Sequence, residues 1–359
     1  MSTACFKTII AGPCSAESEQ LCLSVAAQLA DSGLVDVFRA GVWKPRTLSG
    51  MYEGPGNEGL KYLNAVKQQF GFSVATEAAT AAHAQACLKA GIDVIWIGAR
   101  TVTDPFSVQE LAEALQGTSI RVMVKNPLVP DLRLWTGATE RLLKKGVRVE
   151  ALIHRGFSVY EQSVYRNEPL WALMSEMKRQ FPELQMIADP SHMAGKAAYV
   201  GTLAQQALEM EADGLMVEVH TEPLNALSDA AQQIVPAQFL TILKQLCARE
   251  GAVIPDMSIE ELRSEIDEAD EKLLKILAQR ASIVKRMGQS KRNAGMTIMQ
   301  TSRWQNVVES RLQKANHLGL DSNFVEELLK VIHDESLRIQ LEIMNLSAPA
   351  DKDKIQTSE

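Results

Sequence analysis

Side chains able to do chemistry recur in this sequence just past short apolar runs. In chain order they are Cys14, Arg39, Lys44-Pro45-Arg46-Thr47, Glu77, Arg100, Lys125, Arg155, Asp189-Pro190-Ser191-His192, Glu218-Val219-His220 and Asp229. Repeated Arg and Lys suit a ligand that carries phosphate and carboxylate groups, because guanidinium offers paired N–H donors to both. A thiol, an imidazole and carboxylates in the same set suit a divalent metal such as Mn, Fe, Co or Zn. Each residue alone has a blander reading: Cys14 as a small buried hydrophobe, His192 as a core histidine, any cation as a solvated rim position. Recurring together after the apolar runs, they predict one shared site.

A second set lies toward the C-terminus. Arg280 and Lys291 are 11 residues apart, about three helical turns, and so share a helix face. Arg263 precedes Arg280 by 17 residues, about 25 Å along the same helix and about 100° around it. Those two cannot grip one small ligand from a single straight helix; if both bind it, Arg263 comes from another chain. Ser336 and Gln340 are one turn apart and face the same way. The bland alternative for this region is a dimerisation bundle whose charges are solvated.

The elements that must position the first set follow from the spacing of apolar residues. Strand-like runs fall at Thr8–Ala11, Val37–Ala40, Ser73–Thr76, Val94–Ile97, Arg121–Val124, Val149–Ile153, Met186–Ala188 and Leu215–Val219. Between them lie amphipathic stretches such as Glu58–Phe70, Ala79–Ala90 and Val108–Leu115. Eight strand–helix repeats over about 245 residues predict an α/β fold, a (β/α)8 TIM barrel, whose reactive groups gather at the carboxyl ends of the strands. A doubly wound sheet is disfavoured because Ala11-Gly12-Pro13-Cys14 is not a Gly-rich first turn. Past Gly251 and Pro255 the texture changes to helical periodicity at Ile259, Leu262, Ile266, Leu273, Leu277, Val284 and Met287. Further helices are predicted over Ser302–His317 and Ser322–Met344, which makes a small all-α three-helix domain. The expected division is a barrel at 1–250, a linker at 251–257, a helical domain at 258–346 and a polar, disordered tail at 347–359.

At the strand ends the motifs Gly12-Pro-Cys-Ser15, Lys44-Pro-Arg-Thr47, Ile97-Gly-Ala-Arg-Thr101, Lys125-Asn126 and Asp189-Pro-Ser-His192 resemble those of 3-deoxy-D-arabino-heptulosonate 7-phosphate (DAHP) synthase, in family order. The resemblance is to the short type I branch that is similar to 3-deoxy-octulosonate 8-phosphate synthase. It implies metal ligands at Cys14, His192, Glu218 and Asp229. It also implies a phosphoenolpyruvate cradle from Arg39, Lys44, Glu77, Arg100, Lys125 and either His154 or Arg155. Sugar-phosphate contacts fall on Arg46 and Thr47, with Asp189 near the metal and Lys44 as proton donor. The implied reaction joins phosphoenolpyruvate to erythrose 4-phosphate. The octulosonate enzymes, which take a five-carbon sugar phosphate, are the alternative; they usually carry Asn where Pro45 stands. The chain starts almost at the first strand, so the N-terminal regulatory extension of some family members is expected to be missing.

The helical region resembles the all-helical chorismate mutases from Glu261-Leu-Arg-Ser-Glu-Ile-Asp267 through Gln340, including Leu277-Ala-Gln-Arg280. By that resemblance Arg263 of a partner chain, Arg280 and Ser336 bind two carboxylates, Lys291 and Gln340 flank the ether oxygen, and Arg303 helps hold the ligand. The resemblance implies a homodimer and conversion of chorismate to prephenate. Two expectations for the domain stand side by side, a second catalyst and a binding module that regulates the barrel, and one pocket can serve both. Two positions depart from the family: Trp304 replaces a Glu that contacts the substrate hydroxyl, and Gln300 replaces a common Asp.

Bulk properties exclude other classes. The chain is 46% hydrophobic and 23% charged, as expected of a globular protein. Its net charge of −7 argues against a nucleic-acid partner. No apolar run is long enough to span a bilayer, and no signal peptide is evident, so neither membrane nor secretion is expected. Five cysteines at irregular spacing fit neither a disulfide framework nor a paired-cysteine zinc pattern. A cytoplasmic location is expected.

Overall fold

A computed structural model describes residues 6–45, 50–160, 163–247, 257–299 and 301–345. Of the sequence expectations, Arg46, Thr47, Gln300, the linker at 251–256 and the tail at 347–359 lie outside the described residues. Contacts divide the chain into two units, 1–252 and 253–359.

The first unit holds eight parallel strands that close on themselves in chain order. They are β1 (Thr8–Gly12), β2 (Val37–Arg39), β3 (Ser73–Glu77), β4 (Val94–Ile97), β5 (Arg121–Lys125), β6 (Val149–His154), β7 (Gln185–Ala188) and β8 (Gly214–Glu218). Closure is made where β1 pairs with β8, Thr8 opposite Gly214 and Gly12 opposite Glu218. The bounds match the sequence expectation to within one residue, and the differences have a cause. β3 and β5 run past their last apolar residue to Glu77 and Lys125, because pairing is a property of the backbone and ignores side-chain polarity.

Alternation along each strand makes two cores. Ile10, Val37, Ala75, Val94, Trp96, Met123, Ala151, Ile153, Ile187 and Met216 fill the barrel. Their neighbours of opposite phase, such as Phe38, Val74, Ile95, Val122, Leu152 and Leu215, pack outward. The outward set meets the buried faces of α1 (Glu19–Ala30), α2 (Asn57–Phe70), α3 (Ala81–Ala90), α4 (Pro105–Leu115), α5 (Leu132–Lys144), α6 (Trp171–Gln180), the short α7 (Pro190–Ala194), α8 (Val200–Glu209) and α9 (Pro236–Cys247). Local chemistry starts these helices. Ser18, Thr80, Asp104 and Asp131 each accept a hydrogen bond from a first-turn N–H, and Pro105 occupies the first turn of α4, where no donor is needed.

The second unit has no strand among the described residues. It consists of α10 (Met257–Asn293), α11 (Thr301–His317) and α12 (Ser322–Asn345). α12 packs on α10 and on α11. Gly288 lets α12 approach, since a β-carbon there would lie 3.0 Å from Ile343 and 3.3 Å from Gln340. Along α10 an apolar stripe stays open, with Leu262 56%, Ile266 59% and Leu273 51% exposed. Among the described residues no helix is long and apolar enough to cross a membrane.

Candidate active sites

The inward phase of the strands continues from the apolar barrel filling into charge at the carboxyl ends. Val37 is followed two residues on by Arg39, Ala75 by Glu77, Met123 by Lys125, Ile187 by Asp189 and Met216 by Glu218. Because the side-chain period is two, each charged group enters the barrel directly above an apolar one. Trp96 forms the plate beneath them. The Arg39 guanidinium lies 4.8 Å from its ring centroid and the Lys125 ammonium 5.5 Å. The Trp96 indole N–H donates to Glu77 Oε2 at 2.8 Å. Gly98 leaves room for that carboxylate, since a β-carbon there would stand 2.3 Å from Glu77 Oε1.

Above this layer is a cavity of about 390 Å³ lined by Lys44, Pro45, Met51, Glu77, Ala99, Arg100, Lys125, Leu128, Arg155, Ser158, Arg166, Asn167, His192 and Asp229. Of the residues expected to bind substrate, Lys44, Glu77, Arg100, Lys125 and Arg155 thus share one opening. Arg39 and Asp189 lie below it, fully enclosed in ion pairs with Glu218 at 2.8 Å and Lys125 at 3.0 Å. His154 and Arg155 separate cleanly. His154 has the outward phase, touches the Pro169 carbonyl through Nε2 at 2.5 Å, and packs among Trp135, Phe157 and Trp171. Burial holds its pKa down at about 4 against the pull of the Pro169 carbonyl, so it is a neutral core histidine. Arg155 instead lines the cavity, held by Asn167 Oδ1 at 2.9 Å. Burial lowers its pKa to about 10, still well charged at neutral pH.

Cys14, His192, Glu218 and Asp229 arrive from the ends of β1, β7 and β8 and from the loop beyond β8. Cys14 Sγ lies 3.4 Å from Asp229 Oδ2, and His192 Nε2 lies 3.7 Å from Glu218 Oε1. Protein cations hold the donors: Lys44 Nζ sits 2.9 Å from Cys14 Sγ, Arg39 on Glu218, and Arg166 2.9 Å from Asp229 Oδ1. Among the described residues no three such donors already form a closed cage. The donor chemistry nevertheless fits a divalent metal. His192 Nδ1 lies 2.8 Å from Asp189 Oδ2, which favours N–H on that nitrogen and leaves the Nε2 lone pair toward Glu218. Burial keeps the imidazole neutral, opposed by Asp189. Burial would raise the Glu218 carboxyl, yet His192, Arg39 and Lys44 hold it at about 2. Asp229 is likewise held well below the usual carboxylate range, the Lys44 charge overcoming burial. Only the thiol needs to lose a proton: burial and then the Glu218 charge push Cys14 to about 12, against Lys44.

Several members of this site were not singled out from sequence. Trp96 was readable in principle, since the alternation of β4 puts it in phase with Val94 inside the barrel. Arg166, Asn167 and Gln232 carried no such signal. They sit in loops and a short 3-10 turn between the main elements, where Arg166 Nη1 reaches both Asp229 and Gln232 at 2.9 Å, and Gln232 Nε2 donates to Glu218 Oε2 at 2.8 Å.

In the helical unit, Arg280 Nη1 donates to Ser336 Oγ at 2.6 Å, and Ser336 and Gln340 are buried together on one face of α12. Gln340 Nε2 donates to the Ser336 carbonyl at 3.1 Å, while its Oε1 is buried with no hydrogen-bond partner. Lys291 Nζ donates to the Ile298 carbonyl at 2.6 Å. Arg303 lies exposed on α11, and Arg263 lies on the first turns of α10, far from Arg280 on the same helix. Trp304 stacks on His333 with ring centroids 3.9 Å apart. The structure therefore joins Arg280, Ser336 and Gln340 within one chain and leaves Arg263 apart from them.

The family model described as DAHP synthetase I matches residues 6–251, and that described as chorismate mutase type II matches residues 262–341. A phospho-2-dehydro-3-deoxyheptonate aldolase of Thermotoga maritima is 30% identical over 239 residues, which span 67% of this chain and 68% of that protein. A 2-dehydro-3-deoxyphosphooctonate aldolase of Syntrophotalea carbinolica is 27% identical, covering 68% of this chain and 91% of its own. The crystal structure of the Thermotoga maritima DAHP synthase superposes with a TM-score of 0.60 at 29% identity, covering 67% of each chain. A truncated form of 3-deoxy-D-arabino-heptulosonate 7-phosphate synthase from the same organism superposes with a TM-score of 0.58 at 28% identity, over 67% of this chain and 84% of that one.

Proposed function

The chain belongs to the DAHP synthetase I family through its barrel and carries a chorismate mutase type II domain behind it, and from that premise we propose the substrates, residues and coupling of the two activities. It is an enzyme of both kinds. The barrel condenses phosphoenolpyruvate with erythrose 4-phosphate to give DAHP and phosphate. The observation that carries this reading is the convergence of Lys44, Arg100, Lys125, Arg155 and Arg166 on one cavity beside the donor set of Cys14, His192, Glu218 and Asp229. Arg100, Lys125 and Arg155 hold the phosphate and carboxylate of the enol phosphate, with Arg39 fixing Glu218 below. Arg46 and Thr47 take the sugar phosphate. Cys14, His192, Glu218 and Asp229 would hold a divalent metal (Mn, Fe, Co or Zn), which would supply Lewis acidity for activating the aldehyde. C3 of the enol phosphate then bonds to the aldehyde carbon, water adds at C2, and phosphate departs. Lys44 protonates the new alkoxide. Burial lowers its pKa, but the adjoining Cys14 and Glu218 more than offset that and keep it an ammonium with a proton to give.

The five-carbon sugar of the octulosonate enzymes is the second reading, favoured by the similarity to that aldolase and opposed by Pro45 at the cavity wall. To separate the two, the protein is stripped with chelator, Mn(II) is restored, and loss of phosphoenolpyruvate is followed with each sugar phosphate. Metal-dependent turnover with erythrose 4-phosphate supports the proposal. Turnover with arabinose 5-phosphate alone overturns it.

The helical domain rearranges chorismate to prephenate. Arg280 and Ser336 bind one carboxylate, Arg263 of a partner chain the other, and Arg303 helps hold the ring. Lys291 and Gln340 flank the ether oxygen, where charge gathers as the C–O bond breaks. No nucleophile is needed, only the compact conformer and that charge. The open stripe of Leu262, Ile266 and Leu273 supports a homodimer, which would also bring the second Arg263 within reach. Binding of chorismate or prephenate in this pocket regulates the barrel; barrel kinetics unchanged by either ligand would remove that element.

A further inference from the structure

The proposed roles account for most polar groups of the mutase substrate but not all. Its carboxylates fall to Arg280, Ser336 and Arg263, and its ether oxygen to Lys291 and Gln340. The ring also carries a hydroxyl, and nothing assigned so far receives it. Position 304, on the helix facing α12, offers an indole in place of a carboxylate.

His333 lies where such a group could be met. It precedes Ser336 by three residues and Gln340 by seven on α12, so all three lie along one helix face. Ser336, one turn further along that face, accepts from the Arg280 guanidinium. Trp304 covers one face of its ring at 3.9 Å with the planes 19° apart. Stacking fixes the plane of the imidazole. Its Nε2 is buried with no hydrogen-bond partner among the described residues. A buried polar atom without a partner is costly, and a bound hydroxyl would satisfy it. Burial favours the neutral ring, opposed by Asp334 and aided to a smaller extent by the Arg280 charge. A neutral imidazole presents one donor and one acceptor nitrogen, either of which suits a hydroxyl.

We propose that His333 is a ligand-binding residue of the helical site, its Nε2 engaging the ring hydroxyl of the substrate while Trp304 serves as the plate that orients the imidazole. The proposal rests on the mutase reading of that site. It is tested on the full-length protein by steady-state mutase kinetics of wild type, His333→Phe and His333→Gln. Each is assayed with chorismate and with an analogue lacking the ring hydroxyl. Phe keeps the stack on Trp304 and removes the nitrogen; Gln keeps a hydrogen-bonding group and weakens the stack. Melting temperature and barrel turnover serve as checks on folding. We expect His333→Phe to lower kcat/KM for chorismate by roughly tenfold, the worth of one hydrogen bond. We expect His333→Gln to recover most of the loss, and wild type and His333→Phe to match on the analogue. Wild-type kinetics in His333→Phe would overturn the proposal. An equal loss on both substrates would also overturn it, because a merely structural role predicts that result. No turnover of chorismate by wild type would instead overturn the mutase reading, and this proposal with it.

Discussion

The barrel and the helical unit hold their functional charges in opposite ways. In the barrel two buried ion pairs join residues far apart in the same chain: Arg39 with Glu218, Lys125 with Asp189. Below them lies an apolar core that is complete in itself. The helical unit pairs Arg280 with Ser336 but leaves Arg263 about 25 Å away along one helix, and an apolar stripe remains uncovered beside it. A closed parallel sheet has no edge and turns every strand toward a common axis, so one chain suffices to build the site. Three helices with one long, half-packed member do not enclose such a space.

That contrast can be broken most severely at the Arg39–Glu218 pair. Arg39→Met leaves a carboxylate buried without its partner and should cost about 3–5 kcal/mol of barrel stability, read as a lowered urea midpoint. The helical unit should be unaffected, since its charges do not depend on that network. In the helical unit the corresponding change is catalytic. Lys291→Ala should lower mutase kcat by about 100- to 1000-fold with a much smaller change in KM, because the ammonium matters chiefly when the C–O bond breaks. An unchanged kcat would remove Lys291 from its role.

The barrel also carries a deeply buried group that responds to acid. His154 has a folded pKa of about 4 against an ordinary 6.5. The unfolded chain therefore binds the proton first as pH falls. Stability is full above about 6.5 and declines as pH drops toward 4, by roughly 3 kcal/mol in all. His154→Phe should start less stable at pH 7.5, having abandoned the Pro169 carbonyl, yet lose less on going to pH 5. Denaturant melts at the two values decide it; an unaltered pH dependence in the variant would count against His154 as the source. The smallest effect is expected at the stripe. Ile266→Glu should weaken self-association by at least about tenfold, seen by sedimentation velocity, and lower mutase activity while barrel turnover holds. Unchanged sedimentation would show that the stripe is not the contact between chains.

How much of this was legible beforehand follows from which physical signal each feature carried. Strand bounds came within one residue because apolar runs report burial on both faces of a parallel sheet. Arg39, Glu77, Lys125, Asp189 and Glu218 could be recognised as a set because each follows an apolar run, and the barrel then turns them all inward. His154 and Arg155 could not be told apart by position after the strand; phase decided between them, sending one among aromatics and the other into the cavity. Trp96 lies within a strand-like run and is core, but it is also the plate under two cations.

By itself the sequence determined the alternation of strands and helices, the change of texture after Pro255, and the chemical types gathered at the strand ends. These are local properties, set by periodicity and by the polarity of neighbours in the chain. Only the tertiary structure decided which charges meet. The pairing of Arg166 with Asp229, of Gln232 with Glu218 and of Trp304 with His333 joins residues from loops, a short turn and a strand end, or separate helices. No spacing in the chain encodes such contacts; they exist because closing the barrel and packing α11 on α12 bring those surfaces together.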